Sequence, residues 1–162
     1  MTHAVIDSPL GPLSAVAQDG ALAGLYMLDQ RHRPAPVALG ERDDNALPEL
    51  RDQLNAYWTG DLTEFSVPLT LTGTPFQQQV WAALRRVSYG TTCTYADLAA
   101  AIGRPTAVRA VGAANGRNPV CLVVPCHRVV GSGGALTGYA GGLERKQLLL
   151  QHELTYSGLL LG

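Results

Sequence analysis

The sequence predicts an α+β protein of two domains, with a small antiparallel sheet and a helix over residues 1–72 and a helix-turn-helix unit over residues 73–162. Three observations predict this class: strand-like segments joined by tight turns fill the first half, capped helices open the second, and the two halves carry opposite net charge. Of the 162 residues, 46% are apolar and 15% are charged. This composition supports a sizeable core and excludes a mainly disordered chain.

The sheet is predicted from short apolar runs near the start of the chain. Asp19-Gly20 lies between the runs Leu13–Ala17 and Leu22–Met27, which is a strong hairpin signal. Ala4–Ile6 precedes them as a further strand. Together these runs predict a small antiparallel meander.

The rest of the first half predicts a loop, a helix and a strand. The polar segment 31–46 contains prolines and predicts a long surface loop or linker. Leu47–Trp58 has helical apolar spacing, and Phe65–Leu71 returns to strand character. Gly73 then marks the domain boundary.

Two helix starts open the second half. Thr74 and Gln77 form a capping box with proline at the first helical position, and Thr94 begins a second helix. Gly103 closes that second helix, and a third runs from Thr106 to about Gly116. Two short helices joined by a tight turn form a helix-turn-helix candidate.

The outer face of the third helix is bland, with Arg109 as the only long side chain beside Gly112 and Ala113. Close helix packing with Arg109 in solvent explains this face as well as DNA binding does. A reader of the major groove normally carries Asn, Gln or several Arg there. The face therefore suits contact with DNA without base readout.

The last third of the chain predicts a buried strand at Val120–Val124, a glycine-rich loop at Gly131–Gly142 and a final helix over Gly142–Glu153. The apolar tail Leu159–Leu161 is expected to pack back on the body or to form a weak contact surface.

Charge and cysteine content bound the possible functions. Residues 1–72 carry a net charge of −6 and residues 73–162 carry +5, so the second half suits a polyanion, although a solvated face is the alternative. Three cysteines at irregular spacing fit free thiols in a reducing cytosol. No apolar run is long enough to span a membrane and no secretory signal is visible. We expect a cytoplasmic protein.

Cys126 and His127 follow the predicted strand and form a candidate nucleophile and base. Side chains alternate in a strand, so either the chain turns at Pro125 or a water bridges the two. Glu153 could hold the other imidazole nitrogen. A metal site is not expected, because no cluster of ligands accompanies the cysteines.

The segment Pro125–Gly131 resembles the active-site motif of the O6-alkylguanine-DNA alkyltransferases. Further matches extend over about residues 74–153, and they include Thr74–Trp81, Arg109–Gly112, Asn115-Gly116, Asn118-Pro119, Gly138-Tyr139 and Lys146. The resemblance implies a ribonuclease-H-like first domain that supports a winged-helix-like second one. It also implies repair of O6-alkylguanine, chiefly O6-methylguanine, in double-stranded DNA, with no cofactor. Some members of that family bind zinc in the first domain, but no cysteine precedes Cys93 here, so we expect no metal.

The resemblance assigns five reacting or positioning residues. Cys126 would accept the alkyl group, His127 would act as base through a water, and Glu153 would orient it. Tyr95 would donate a proton to guanine N3, and Asn118 would be the hinge residue beside the active-site strand. The thioether product has no route back, so each molecule would react once.

The resemblance also assigns a DNA surface and a base pocket. Binding would use the minor groove, and Arg109 would fill the gap that the flipped base leaves. The other expected DNA contacts are Tyr95, Gly112, Ala113, Asn115, Arg117 and Arg128. The expected pocket residues are Tyr139, Val129, Ala140 and Gly141. We expect a monomer in solution, and copies could assemble cooperatively on DNA.

Two other classes remain open on the residues alone. A helix-turn-helix regulator would bind DNA without needing Cys126. A cysteine hydrolase would use Cys126, His127 and Glu153 and would turn over many times. Transfer of a labelled methyl group to Cys126 distinguishes the three.

Overall fold

A computed structural model gives the backbone of residues 1–161 and the side chains through residue 158. The chain forms two compact units, Met1–Thr72 and Gly73–Gly162. The side chains of Leu159–Leu161, for which packing or a contact surface was expected, lie outside the described residues.

The first unit is built on a four-stranded sheet of order β3-β2-β1-β4. Its strands are β1 (Thr2–Ile6), β2 (Leu13–Gln18), β3 (Ala21–Met27) and β4 (Glu41–Arg42). β2 is antiparallel to both β1 and β3, and the predicted turn at Asp19-Gly20 has positive φ at both residues. The expected meander is therefore present.

Two expectations for this unit need correction. The segment 31–46 is not a plain loop, because it contains a 3-10 turn at Pro36–Leu39 and then β4, which pairs in parallel with β1 and makes the sheet mixed. Phe65–Leu71 is not a regular strand. It forms a single parallel bridge between Leu22 and Leu69. Two backbone hydrogen bonds made by Leu22, one as donor and one as acceptor, hold the segment at this point.

One helix, α1 (Pro48–Trp58), completes the first unit. Proline occupies its first turn, where a missing N–H costs nothing. Leu50, Leu54 and Tyr57 are buried at helical spacing, as the sequence pattern predicts.

The second unit opens with three helices: α2 (Pro75–Leu84), α3 (Tyr95–Ala101) and α4 (Val108–Gly116). Both predicted helix starts form full capping boxes, Thr74 with Gln77 and Thr94 with Asp97. Gly103 follows α3 with φ of +75°, a conformation that glycine adopts without steric cost. The helix-turn-helix arrangement of α3 and α4 is therefore present.

Two contacts arrange these helices around the site. The indole nitrogen of buried Trp81 on α2 donates to the carbonyl of Ala114 on α4 at 2.9 Å. A short parallel pairing joins β5 (Cys93–Thr94) to β6 (Val129–Val130), and it was not expected from the sequence. It anchors the start of α3 to the chain that follows Cys126.

The final helix, α5 (Leu143–Leu161), is longer than the expected helix ending at Glu153. Among the described residues, no helix is both long and apolar enough to cross a membrane.

A buried cysteine, histidine and glutamate beside a helix-turn-helix

The segment before Cys126 is a buried turn and not the expected strand. Val120–Val124 is buried throughout, but Leu122 has a φ of +71° and the amide of Val124 donates to the carbonyl of Val120 at 3.0 Å. An apolar run reports burial and leaves open whether the backbone is extended or turned. Here the run coils tightly and delivers Pro125 to the site.

Cys126 begins a 3-10 turn that ends at Arg128. The amide of Cys126 donates to the carbonyl of Val124 at 2.8 Å, and the amide of Arg128 donates to the carbonyl of Pro125 at 3.0 Å. Of the two arrangements left open for Cys126 and His127, the chain adopts the turn. The alternation of side chains in a strand therefore does not apply to them.

His127 pairs with Glu153 of α5 in the interior of the second unit. Its Nε2 lies 2.7 Å from Oε2 of Glu153, and the two side chains are 0% and 1% exposed. Burial lowers the pKa of His127, against the opposing effect of Glu153. Burial alone would raise the pKa of Glu153, but His127 and Arg128 together lower it below its ordinary value. The pair is therefore a neutral imidazole on an ionised carboxylate.

These charge states fix the proton on the imidazole. An ionised carboxylate only accepts hydrogen bonds, so Nε2 of His127 carries the proton and donates it to Glu153. Nδ1 of His127 is buried and has no hydrogen-bond partner among the described residues. Its lone pair is available to accept a proton.

Arg128 does not lie at the surface, and the expectation that it contacts DNA is corrected. Its Nε donates to Oε1 of Glu153 at 2.8 Å and its Nη2 to Oε2 at 3.0 Å, while Nη1 donates to the carbonyl of Val87 at 2.7 Å. Only 7% of the side chain is exposed. The guanidinium therefore pairs with the same carboxylate that is hydrogen-bonded to His127.

Asn118 ties together the turn before Cys126. Its Nδ2 donates to the carbonyl of Val124 at 2.7 Å, and its Oδ1 accepts from the amide of Val120 at 3.0 Å. Both ends of the coiled segment are therefore held by one buried amide side chain. Asn118 therefore fixes the conformation of the turn that leads to Cys126.

The Cys126 thiol is buried, and burial raises its pKa above the ordinary value. Hydrogen bonding by the Asn118 and Tyr139 side chains and the charge of Lys146 act in the opposite direction. Cys126 is therefore a neutral thiol at rest, surrounded by groups that favour the thiolate. Its nucleophilic form needs a base.

Lys146 is the only lysine of the chain, and it is fully buried on α5. Its Nζ donates to the carbonyls of Val129, Thr137 and Gly138, at 2.5, 2.7 and 3.3 Å. Burial lowers its pKa. The ammonium joins β6, which follows the active turn, to the loop that carries Tyr139.

The four residues expected to form the base pocket differ in burial. Val129 is fully buried, whereas Tyr139, Ala140 and Gly141 are half-buried. Tyr139 lies within hydrogen-bonding reach of Cys126.

Arg109 and Ala113 are exposed on the outer face of α4, and Arg117, which follows the helix, is exposed too. Gly112 is half-buried, and a Cβ built on it would lie 3.7 Å from the ring of Tyr95. Asn115 is corrected: it is buried, and its Nδ2 lies 3.5 Å from the carbonyl of Cys126. It faces the active turn because it follows Val111 by four residues on the inner side of the helix.

Sequence reasoning missed the partnership of Arg128 with Glu153 and the inward direction of Asn115. A buried apolar segment on either side of Arg128 was the available signal, since a charged residue within such a segment needs a partner. Within the described part of the chain, no group of three His, Cys, Asp or Glu could hold a metal ion.

The second unit thus joins a helix-turn-helix to a buried cysteine with a histidine–glutamate pair. Family models match both units: the 6-O-methylguanine DNA methyltransferase ribonuclease-like domain over residues 1–71, and its DNA binding domain over residues 75–155. The chain belongs to the 6-O-methylguanine DNA methyltransferase family.

Individual relatives match along nearly the whole chain. The methylated-DNA–protein-cysteine methyltransferase of Mycobacterium tuberculosis H37Rv is 50% identical over 151 residues, which are 93% of this chain and 91% of the relative. That of Methanosarcina barkeri is 43% identical over 153 residues, covering 94% and 97% of the two chains. A crystal structure of Mycobacterium tuberculosis OGT in complex with DNA superimposes with a TM-score of 0.92 at 48% identity, covering 96% and 94%.

Proposed function

We propose that the protein repairs O6-alkylguanine, chiefly O6-methylguanine, in double-stranded DNA by transferring the alkyl group to the sulfur of Cys126. The observation that carries this proposal is the buried thiol beside a neutral His127 whose Nε2 is held by Glu153. The family membership and the DNA complex of the mycobacterial relative support DNA as the partner.

In the proposed reaction, Nδ1 of His127 accepts the thiol proton, directly or through a water. The thiolate attacks the alkyl carbon, a C–S bond forms, and the C–O6 bond breaks. Tyr95 donates a proton to N3 of the leaving guanine, and Tyr95 and His127 return to their neutral forms by proton exchange with solvent, so the net transfer takes the thiol proton to guanine. No cofactor takes part.

The base must leave the helix to reach a buried thiol. We assign Arg109 to the gap it leaves and the exposed face with Ala113 and Arg117 to the minor groove, with Gly112 allowing close approach. Tyr139, Ala140 and Gly141, backed by Val129, form the proposed base pocket. Asn118 holds the turn that presents Cys126.

We place the domain boundary between Thr72 and Gly73 and assign the first unit a supporting role without a reacting group. The protein would act in the cytoplasm, as a monomer or cooperatively along DNA. The thioether formed is stable under mild conditions, so each molecule reacts once.

The test uses a DNA duplex that carries O6-methylguanine with a labelled methyl group. We expect label on Cys126, located by mass spectrometry, saturating near one equivalent, and none on Cys126→Ser. Cys93→Ser is the matched control and should retain transfer, because Cys93 is half-buried on β5. DNA binding without transfer would indicate the regulator, and label released over many turnovers would indicate the hydrolase.

A further inference from the structure

Arg128 is a buried charged residue to which the proposed reaction assigns no role. It is buried, and all of its guanidinium nitrogens donate: two to Glu153 and one to the carbonyl of Val87. A fork of two parallel bonds to one carboxylate is the strongest and most directional ion pair available to arginine. Such an arrangement costs desolvation, so its purpose is not explained by stability alone.

We propose that Arg128 is a positioning residue that neutralises Glu153 and thereby keeps His127 an uncharged imidazole, ready to accept the Cys126 proton. This proposal rests on the function proposed above, since a proton acceptor is needed only if Cys126 must become a thiolate. Arg128 acts through Glu153, to which two of its three guanidinium nitrogens donate.

His127 and Arg128 both donate to the carboxylate of Glu153. Oε2 of Glu153 accepts from both His127 Nε2 and Arg128 Nη2, while Oε1 accepts from Arg128 Nε and, at 3.3 Å, from the amide of Gly90. A lone buried carboxylate at 2.7 Å would favour the charged imidazolium strongly. An imidazolium cannot take the thiol proton, so the carboxylate needs a second positive partner.

The other charged and titratable groups around His127 do not replace Arg128. From α5, Glu153 favours the imidazolium, whereas Lys146 disfavours it but donates to three backbone carbonyls. From the same turn come Cys126 and Arg128. Tyr89, after α2, stacks at 5.6 Å from the Arg128 guanidinium, and burial raises its pKa to about 12, so it stays neutral. Arg128 is the cation that contacts the carboxylate.

The test measures the protonation of His127 directly, by ¹⁵N NMR of the full chain labelled at histidine. Replacing Arg128 with the neutral Gln should raise the His127 titration midpoint by about one pH unit or more. Arg128→Lys keeps the charge and should titrate near the wild type. Arg86→Gln removes an exposed arginine as the matched control and should leave the midpoint unchanged.

Methyl transfer gives the second readout. In single-turnover reactions at saturating methylated duplex, the rate of Arg128→Gln should fall on the acid side at a higher pH than that of the wild type. Arg128→Lys should restore the wild-type profile. If Arg128 only supports packing, Arg128→Gln lowers the rate equally at every pH and leaves the His127 midpoint in place, which would overturn the proposal.

The pH dependence of the stability of the neutral variants gives a third readout. In the wild type the folded pKa of His127 lies below the unfolded value, so stability falls as pH drops through about 6.5. A raised His127 pKa weakens this decline, so the loss of stability in Arg128→Gln and in Arg128→Met, relative to the wild type, should be smaller at pH 6 than at pH 8. An equal loss at both values would contradict the proposal.

The two proposals can fail separately. A wild type that transfers no methyl group refutes the function, whatever the His127 midpoint. A wild type that transfers the group, with midpoints equal in wild type and Arg128→Gln, refutes only the role of Arg128.

Discussion

The two units of the chain treat charged side chains in opposite ways. In the first, the ion pair of Arg42 with Asp44 is 61% and 48% exposed, and the described core is apolar apart from Ser14 and Gln30. In the second, His127, Arg128, Lys146 and Glu153 are all buried. Burying charges costs free energy unless each is paired and hydrogen-bonded. The second core tolerates its charges because each is paired or hydrogen-bonded: His127 and Arg128 share Glu153, and Lys146 donates to three carbonyls.

The largest contrast should come from the same substitution in each unit. His127→Gln removes the proton acceptor and should slow methyl transfer about 10²–10⁴-fold, the usual range for a general base. His3→Gln changes a half-buried histidine that bonds the carbonyl of Gly40 and should leave the rate unchanged. Single-turnover rates on methylated duplex give both values. Equal rates for the two variants would contradict the expected difference between the two units.

Replacing Lys146 should lower the free energy of unfolding far more than replacing a surface charge does. Lys146→Met leaves the carbonyls of Val129, Thr137 and Gly138 without their donor inside the second unit, and we expect a loss of about 3 kcal/mol in the free energy of unfolding. Urea denaturation followed by circular dichroism measures it. A loss below the error of that measurement would show that the buried ammonium has no structural task.

The pH dependence of stability should also originate in the second unit. Burial lowers the folded pKa of His127, so the unfolded chain binds its proton more readily and stability falls as pH drops below about 6.5. The lowered pKa of Glu153 gives stability that is present above about pH 4.3 and is lost on further acidification. Urea midpoints from pH 8 down to pH 2 test both declines. His127→Gln should lack the first decline, and a wild type that shows no such decline would be contrary to expectation.

The smallest effect is expected for the exposed pair. The hydrogen bond from Arg42 lowers the pKa of Asp44 to about 2, yet both side chains stay in solvent, where ion pairs contribute little. Arg42→Met should leave the urea midpoint at neutral pH unchanged. A shift as large as that of Lys146→Met would mean that surface and buried charges are equivalent here.

Local signals in the sequence predicted much of the fold. The capping boxes at Thr74 and Thr94 and the turn at Gly103 were confirmed, because each depends on residues within a few positions of one another. The coiled Val120–Val124 segment was predicted wrongly, since an apolar run does not record the left-handed Leu122. The parallel pairing of β5 with β6 depends on residues far apart in the chain, so no local sequence pattern predicts it.

The predictions for the site residues show the same difference between local patterns and long-range contacts. Cys126, His127 and Glu153 were expected together, and the structure brings the latter two into contact. The sequence analysis places Arg128 among the DNA contacts, but the residue is buried. Its true partner lies 25 positions further along the chain, and only the fold brings the two together.

Burial also protects the candidate acceptor. Because the sulfur of Cys126 lies inside the molecule and burial raises its pKa, electrophiles and oxidants in solution meet neither an accessible nor an ionised sulfur. Under the proposed function, in which each molecule reacts once, this protection keeps the thiol intact until a substrate base enters the proposed pocket.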